Sequence, residues 1–158
     1  HRDFPDRASF EGELLRHLAG KGVELVVLAG FLRLLSPRFI DAFRGRIINV
    51  HPSLLPAFPG LHAPRQALRY GVRYTGCTVH FVDEGCDTGP IILQRVVPVV
   101  EGDDETSLWA RIRKEEHRLL PEAVRLFIEG RLVVEGRRVR IRSEGERTER
   151  LGMRRESA

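Results

Sequence analysis

The chain reads as an α/β fold whose sheet is parallel in its first half and antiparallel in its second. Three observations predict this. Helical and strand patterns alternate from residue 7 to residue 70. The run Val23-Glu24-Leu25-Val26-Val27-Leu28-Ala29 is almost continuously apolar, as in a strand covered on both faces. Residues 74–82 and 91–100 follow each other across a tight turn over 85–90, which suits an antiparallel pair.

The elements follow in order. Residues 7–20 place Phe10, Leu14, Leu15 and Leu18 on one helical face, and Gly20 and Gly22 stop the helix. Ser36-Pro37 supplies an N-cap and a first-turn proline to a short helix carrying Phe39, Ile40 and Phe43. Arg46-Ile47-Ile48-Asn49-Val50 is a short buried strand. Pro64 to Tyr70 forms a helix closed by Gly71. In the strand over 91–100, Pro98 marks an edge or a bulge. A long helix runs from Thr106 to Ile128, interrupted at Pro121 and ended by Gly130. On it Trp109 is expected to hold the helix to the sheet and His117 to pack. Residues 131–134 and 137–141 make a hairpin around Glu135-Gly136. Residues 1–142 therefore form one domain, and 143–158, charged and nearly without apolar side chains, form a disordered tail.

Composition narrows the function classes. A length of 158 residues with 42% hydrophobic content suits one core. No apolar run approaches the roughly 18 residues of a membrane span, and no signal peptide is read at the opening. Cys77 and Cys86 do not make a disulfide framework, so the default compartment is the cytoplasm. The net charge is +4. All of it sits in segment 131–142, where Arg131, Arg137, Arg138, Arg140 and Arg142 stand against Glu135. A charge confined to one terminal hairpin reads as a solvated edge rather than a nucleic-acid grip.

The chemistry concentrates in Asn49-Val50-His51-Pro52-Ser53-Leu54-Leu55-Pro56-Ala57-Phe58-Pro59-Gly60-Leu61. Pro52 pushes His51 into extended geometry where a strand leaves its sheet, and ligands of open α/β sheets bind in that crevice. Asp87 lies in the tight acidic loop Asp83-Glu84-Gly85-Cys86-Asp87-Thr88-Gly89-Pro90. An aspartate beside His51 raises the imidazole pKa. A charged imidazole and an amide side by side are donors for a developing oxyanion, and Asp87 can order a water that carries protons. No nucleophilic side chain is needed if the substrate supplies the attacking group. On residue pattern alone, a purely structural His–Asp pair reads equally well. His80 either faces this site or hydrogen-bonds in the core. His51, His62, His80 and Asp87 match no tight zinc spacing, so no metal is expected, and Cys86 reads as a turn filler.

Several runs stand together in order and spacing: Gly30-Phe31-Leu32-Arg33-Leu34-Leu35, Ile48-Asn49-Val50-His51-Pro52-Ser53-Leu54-Leu55-Pro56, Pro59-Gly60-Leu61-His62, Arg65-Gln66-Ala67-Leu68, Val79-His80-Phe81-Val82-Asp83, Asp87-Thr88-Gly89-Pro90-Ile91-Ile92 and Glu116-His117. Over nearly all of residues 1–135 the chain resembles the phosphoribosylglycinamide formyltransferases. The resemblance implies a Rossmann-like mixed sheet with helices on both faces. It implies transfer of the formyl group of 10-formyltetrahydrofolate, a co-substrate, to the amine of glycinamide ribonucleotide in purine biosynthesis. Asn49, His51 and Asp87 would be catalytic. Arg7, Arg33, Leu34, Leu35, Asn49, Val82, Asp83, Glu84 and Asp87 would hold the folate. Gly60, Arg113 and Glu116 would face the nucleotide. The partners implied are these small molecules and a second copy of the chain, with no nucleic acid and no membrane.

One departure matters. The family opens with a strand and a Gly-Ser-Asn type turn whose amides hold a phosphate, and this chain starts after that point. About 60 residues, two βα units, are expected to be missing, leaving strand 23–29 with an apolar edge. Two alternatives follow: a formyltetrahydrofolate hydrolase, or a non-catalytic folate-binding domain. The chain as given is expected to bind glycinamide ribonucleotide weakly. Isothermal titration measures this, and micromolar affinity would contradict it.

Overall fold

A computed structural model describes residues 6–30 and 34–144. Arg33 and most of the expected tail lie outside the described residues. The elements are α1 (Arg7–Gly20), β1 (Val26–Ala29), α2 (Pro37–Ala42), β2 (Ile47–His51), α3 (Ala63–Tyr70), β3 (Tyr74–Phe81), β4 (Ile91–Pro98), α4 (Glu105–Ile128), β5 (Leu132–Glu135) and β6 (Arg138–Ile141). Local chemistry sets most helix starts. Asp6 caps α1 by accepting the Ser9 N–H at 2.7 Å, and Ser36 caps α2 by accepting the Phe39 N–H at 3.2 Å. At α4, Asp104 and Ser107 form a reciprocal capping box.

The strands form one mixed sheet in the order β1-β2-β3-β4-β6-β5. β1 and β2 are parallel, and β2, β3 and β4 are successively antiparallel. The two expected halves are present. β6 adds a parallel contact to β4 at Ile91 and Arg138, which joins the C-terminal hairpin to the sheet.

Period-2 alternation on β2 sorts its side chains to two faces. Ile48 and Val50 join Val79, Phe81, Leu108, Ile112 and Leu119 in one core. Ile47 joins Leu35, Phe39, Ile40 and Phe43 in the other, with Leu14, Leu15 and Leu18 of α1 packed against it. Helices thus cover both faces, α4 on one and α1 with α2 on the other.

Four expectations change. β1 is four residues long and alternates between half-buried and exposed, with Val27 40% exposed. It is an edge strand of the sheet with an exposed apolar residue, as the expected apolar edge implies, while the expected cover on both faces is absent: Val26 and Leu28 pack on one core and Val27 does not. α4 runs through Pro121 for 24 residues. Its buried stripe, Leu108, Ile112, Leu119 and Ala123, spans the proline and holds the helix to the sheet despite the lost N–H. β4 stops at Pro98, opposite Tyr74. Trp109 does not anchor α4; it is 49% exposed, because Leu108 and Ile112 occupy the sheet-facing positions.

Glu11 is a charged residue at a buried place, 5% exposed. Both its carboxylate oxygens accept the Ser36 N–H at 3.2 Å, and Arg7 Nε donates to it at 2.9 Å. Burial pushes this carboxyl up, but Ser36 and Arg7 overcome that and leave it below the usual range. A carboxylate lowered by folding adds stability above its unfolded pKa and loses it as pH falls through the folded value. Glu11→Ala should cost about 1–3 kcal/mol at neutral pH, read by urea unfolding, and the difference from the parent should shrink in acid.

Candidate active site

The register of β2 on β3 brings the site together. Asn49 lies opposite His80 and His51 opposite Thr78, so four polar side chains share the face turned away from the Ile48–Phe81 core. Asn49 Nδ2 lies 3.3 Å from His80 Nε2. His80 Nδ1 donates to the Phe81 carbonyl at 2.8 Å, and its Nε2 faces Asn49 Nδ2 and Asp87 Oδ1. His80 is 2% exposed. It was the open case in the sequence: strand alternation placed it beside the site or in the core, and only the pairing register decides.

Beyond His51 the chain enters the proline loop, which is tied to the sheet from below. Thr78 Oγ1 donates to the Ser53 carbonyl at 2.7 Å and accepts the Leu55 N–H at 3.0 Å. Gln94 donates to the Leu55 carbonyl at 2.9 Å, and the Leu55–Pro56 peptide is cis. This loop turns the Phe58 carbonyl onto His51 Nε2 at 2.9 Å. It also aims the Gly60 N–H at Asp87 Oδ2, 2.8 Å away.

Asp87 is the meeting point. Its Oδ2 lies 3.4 Å from His51 Nδ1 and its Oδ1 lies 3.7 Å from His80 Nε2. Burial raises a carboxyl here, but His80, the Gly60 N–H and His51 together lower Asp87 to about 2. It is therefore a carboxylate across the working pH range. His51 departs from expectation. Burial, the largest influence, pulls its imidazole below the usual range, while the Phe58 carbonyl and then Asp87 pull it back up. The anticipated upward push exists, but desolvation outweighs it.

These groups line a cleft of about 910 Å³. It also takes in Leu34, Leu35, Val82, Asp83, Glu84, Gly60, Arg113 and Glu116. Arg7 is not among its walls: it lines a separate hollow of about 300 Å³ with Glu11, Ser36 and Arg38. Trp109, Arg113, Glu116 and Leu120 reach the cleft from one face of α4, the spacing of a second helical stripe beside the buried one. The Arg113 guanidinium lies 5.8 Å from the Trp109 ring centre. His117 also lines the cleft rather than packing inside. Burial raises the Glu116 carboxyl, opposed by Arg113. Backbone strain collects here too: Phe58, His62 and Asp87 hold φ of 53°, 57° and 55°, a region that costs about 1–3 kcal/mol and concentrates at functional sites. Among the described residues no cluster of His, Cys, Asp and Glu is arranged to hold a metal.

A mixed α/β sheet thus brings the Asn49 amide, the His51 and His80 imidazoles and the Asp87 carboxylate to one cleft. The chain belongs to the formyl transferase family, whose model matches residues 1–124. It is 54% identical over 132 residues to the trifunctional purine biosynthetic protein adenosine-3 of Drosophila pseudoobscura, covering 84% of this chain and 10% of that protein. It is 48% identical over 145 residues to phosphoribosylglycinamide formyltransferase of Mycobacterium tuberculosis H37Rv, covering 88% of this chain and 67% of the relative. The crystal structure of glycinamide ribonucleotide transformylase 1 from Symbiobacterium toebii superposes with a TM-score of 0.86 at 59% identity, over 89% of this chain and 66% of that one. The chain thus spans a tenth of the insect relative and about two thirds of the bacterial ones. Its sheet is the Rossmann-like mixed sheet of this family.

The Asp87–His51 link has a direct readout. In Asp87→Asn the imidazole loses a partner that raises its pKa, so the His51 ring should titrate at lower pH than in the parent, followed by proton NMR. A midpoint that stays or rises would break the link.

Proposed function

We propose that this chain carries the formyl-transfer centre of a phosphoribosylglycinamide formyltransferase, moving the formyl group of 10-formyltetrahydrofolate to the amine of glycinamide ribonucleotide. The observation that supports this best is the convergence of Asn49, His51 and Asp87 on one cleft. The apolar wall of Leu34, Leu35 and Val82 suits a flat heteroaromatic ring. Gly60, Arg113 and Glu116 face the nucleotide, with Glu116 accepting from ribose hydroxyls. Arg33 would contribute to folate binding, and Arg7 would meet the folate's glutamate tail from the hollow it lines. The reading carries with it small-molecule rather than nucleic-acid partners and a cytoplasmic setting.

The amine nitrogen bonds to the formyl carbon and the carbonyl oxygen becomes an alkoxide. Asn49 has two N–H donors, and one of them serves the oxyanion. The His51 Nε2–H donates to the Phe58 carbonyl in the structure. An anion is a stronger acceptor than a neutral carbonyl, so this donor turns to the alkoxide as charge develops. Asp87, ionised throughout, stabilises the imidazolium through Nδ1. The intermediate collapses by breaking the bond from carbon to the folate N10. The proton lost by the amine reaches N10 through a water held at Asp87. The substrate amine is the nucleophile, and nothing in the cleft favours the hydrolase alternative, in which water would take its place.

Asp87→Asn should lower kcat by about three to four orders of magnitude, as loss of a carboxylate that supports an imidazolium does elsewhere. Folate affinity should stay within about threefold, because most of the folate wall is untouched. Steady-state kinetics with folate titration tests this, and a fall in kcat below about tenfold would remove Asp87 from the assigned role.

A further inference from the structure

The arginine-rich hairpin has no part in the chemistry above, yet it reaches the loop that carries Asp87. Arg137, at the β5–β6 turn, donates from Nη2 to the Thr88 carbonyl at 2.8 Å, across 49 residues of sequence. It has no carboxylate within ion-pair distance among the described residues. We propose that Arg137 is a positioning residue that holds the 83–89 loop so that Asp87 meets His51, His80 and Gly60. The proposal rests on the reading of Asp87 given above.

The loop's own structure shows why an external tie matters. Asp83 organises it from within, accepting the Gly85 N–H at 3.1 Å and the Thr88 hydroxyl at 2.5 Å. Its exit is fixed by close packing: a Cβ on Gly89 would stand 1.7 Å from the Phe81 carbonyl oxygen. Between these, Asp87 is held at φ 55°, where a residue with a Cβ relaxes unless its neighbours prevent it. Arg137 grips the carbonyl of the next residue, Thr88, one peptide further on. A guanidinium on a carbonyl is a charge-assisted bond, stronger than a neutral one.

The hairpin is a firm base for such a tie. Its open end is closed by Arg142 N–H and Arg131 Nε, donating at 2.8 Å to the Arg131 and Arg142 carbonyls respectively. Leu132 and Val139 pack on the main core. Its pairing to β4 falls at Ile91 and Arg138, just past the loop's exit and next to Arg137 itself. The positive segment that reads in sequence as a solvated edge thus has one cation directed at the active-site loop.

The Gly60 amide reports on this directly, because it donates to Asp87 Oδ2. Hydrogen exchange by NMR on the full chain, comparing the parent, Arg137→Ala, Arg137→Lys, Asp87→Asn and the double variant, tests the proposal. In Arg137→Ala the Gly60 amide should exchange about five- to tenfold faster while the amides of β2 and β3 keep their rates. Arg137→Lys, which retains a donor, should fall between parent and Ala. In the Asp87→Asn background Arg137→Ala should add less than about twofold. A Gly60 rate unchanged within about twofold, an equal acceleration of the β2 and β3 amides, or an undiminished effect in Asp87→Asn would each overturn it. Where the parent transfers formyl groups, kcat should fall about fivefold in Arg137→Ala with the folate KM unchanged. A parent without transfer would count against the proposed function alone, and the exchange rates would still decide the role of Arg137.

Discussion

The antiparallel register of β2 on β3 is the constraint on which the site depends. A slip of one residue would turn the apolar set of one strand, Ile48 and Val50 or Val79 and Phe81, away from the face of the other. Three of these four are 5% exposed or less, and the fourth is Val50 at 9%. Burying apolar side chains of this size is worth about 1.5–3 kcal/mol each, so the core fixes the register. Because the period is two, the same register places Asn49, His51, Thr78 and His80 together on the other face. The polar site is aligned by apolar packing on the reverse of the same strands.

What the strands align, two loops complete. The proline loop brings the Phe58 carbonyl and the Gly60 amide, and the acidic loop brings Asp87. Each depends on the other, since the Gly60 N–H that closes one ends on the carboxylate of the other. Thr78 and Gln94 hold the proline loop to the sheet from beneath. Among the described residues, the three non-glycine residues with positive φ lie in these loops or at the start of α3. This is where a fold stores local strain when its surroundings fix the conformation.

Much of this was legible in the sequence, for identifiable reasons. Apolar run length and X-Pro steps located β2 and the turn of the chain after it. Ser36-Pro37 marked the start of α2, Gly71 the end of α3, and the turn signal Glu135-Gly136 the hairpin. Glu11 was not legible. It is one carboxylate on an amphipathic helix, and its partner, the Ser36 amide, lies 25 residues away. Nor was the assignment of Trp109 and Leu108 to opposite roles, because adjacent helical positions point about 100° apart and composition favours the larger ring for the core. The Val23–Ala29 run looked like a doubly covered strand because apolar content does not reveal how many sheet neighbours a strand has. His80 and Arg137 needed tertiary pairing: one is decided by register and the other by a contact between distant turns.

The opposed influences on His51 bear on how the proposed reaction would be driven. Burial of His51 disfavours an imidazolium and is the larger influence on the ring. The same burial strengthens the attraction of Asp87 and of any alkoxide formed beside it. A ring charged permanently would hold a carbonyl and an alkoxide with less difference between them. A ring whose charged form is costly until a second negative charge appears discriminates more sharply, and only interactions stronger in the transition state accelerate a reaction. Desolvation of His51 and ionisation of Asp87 therefore act together. One keeps the donor weak toward the ground state, and the other supplies the field that lets it respond.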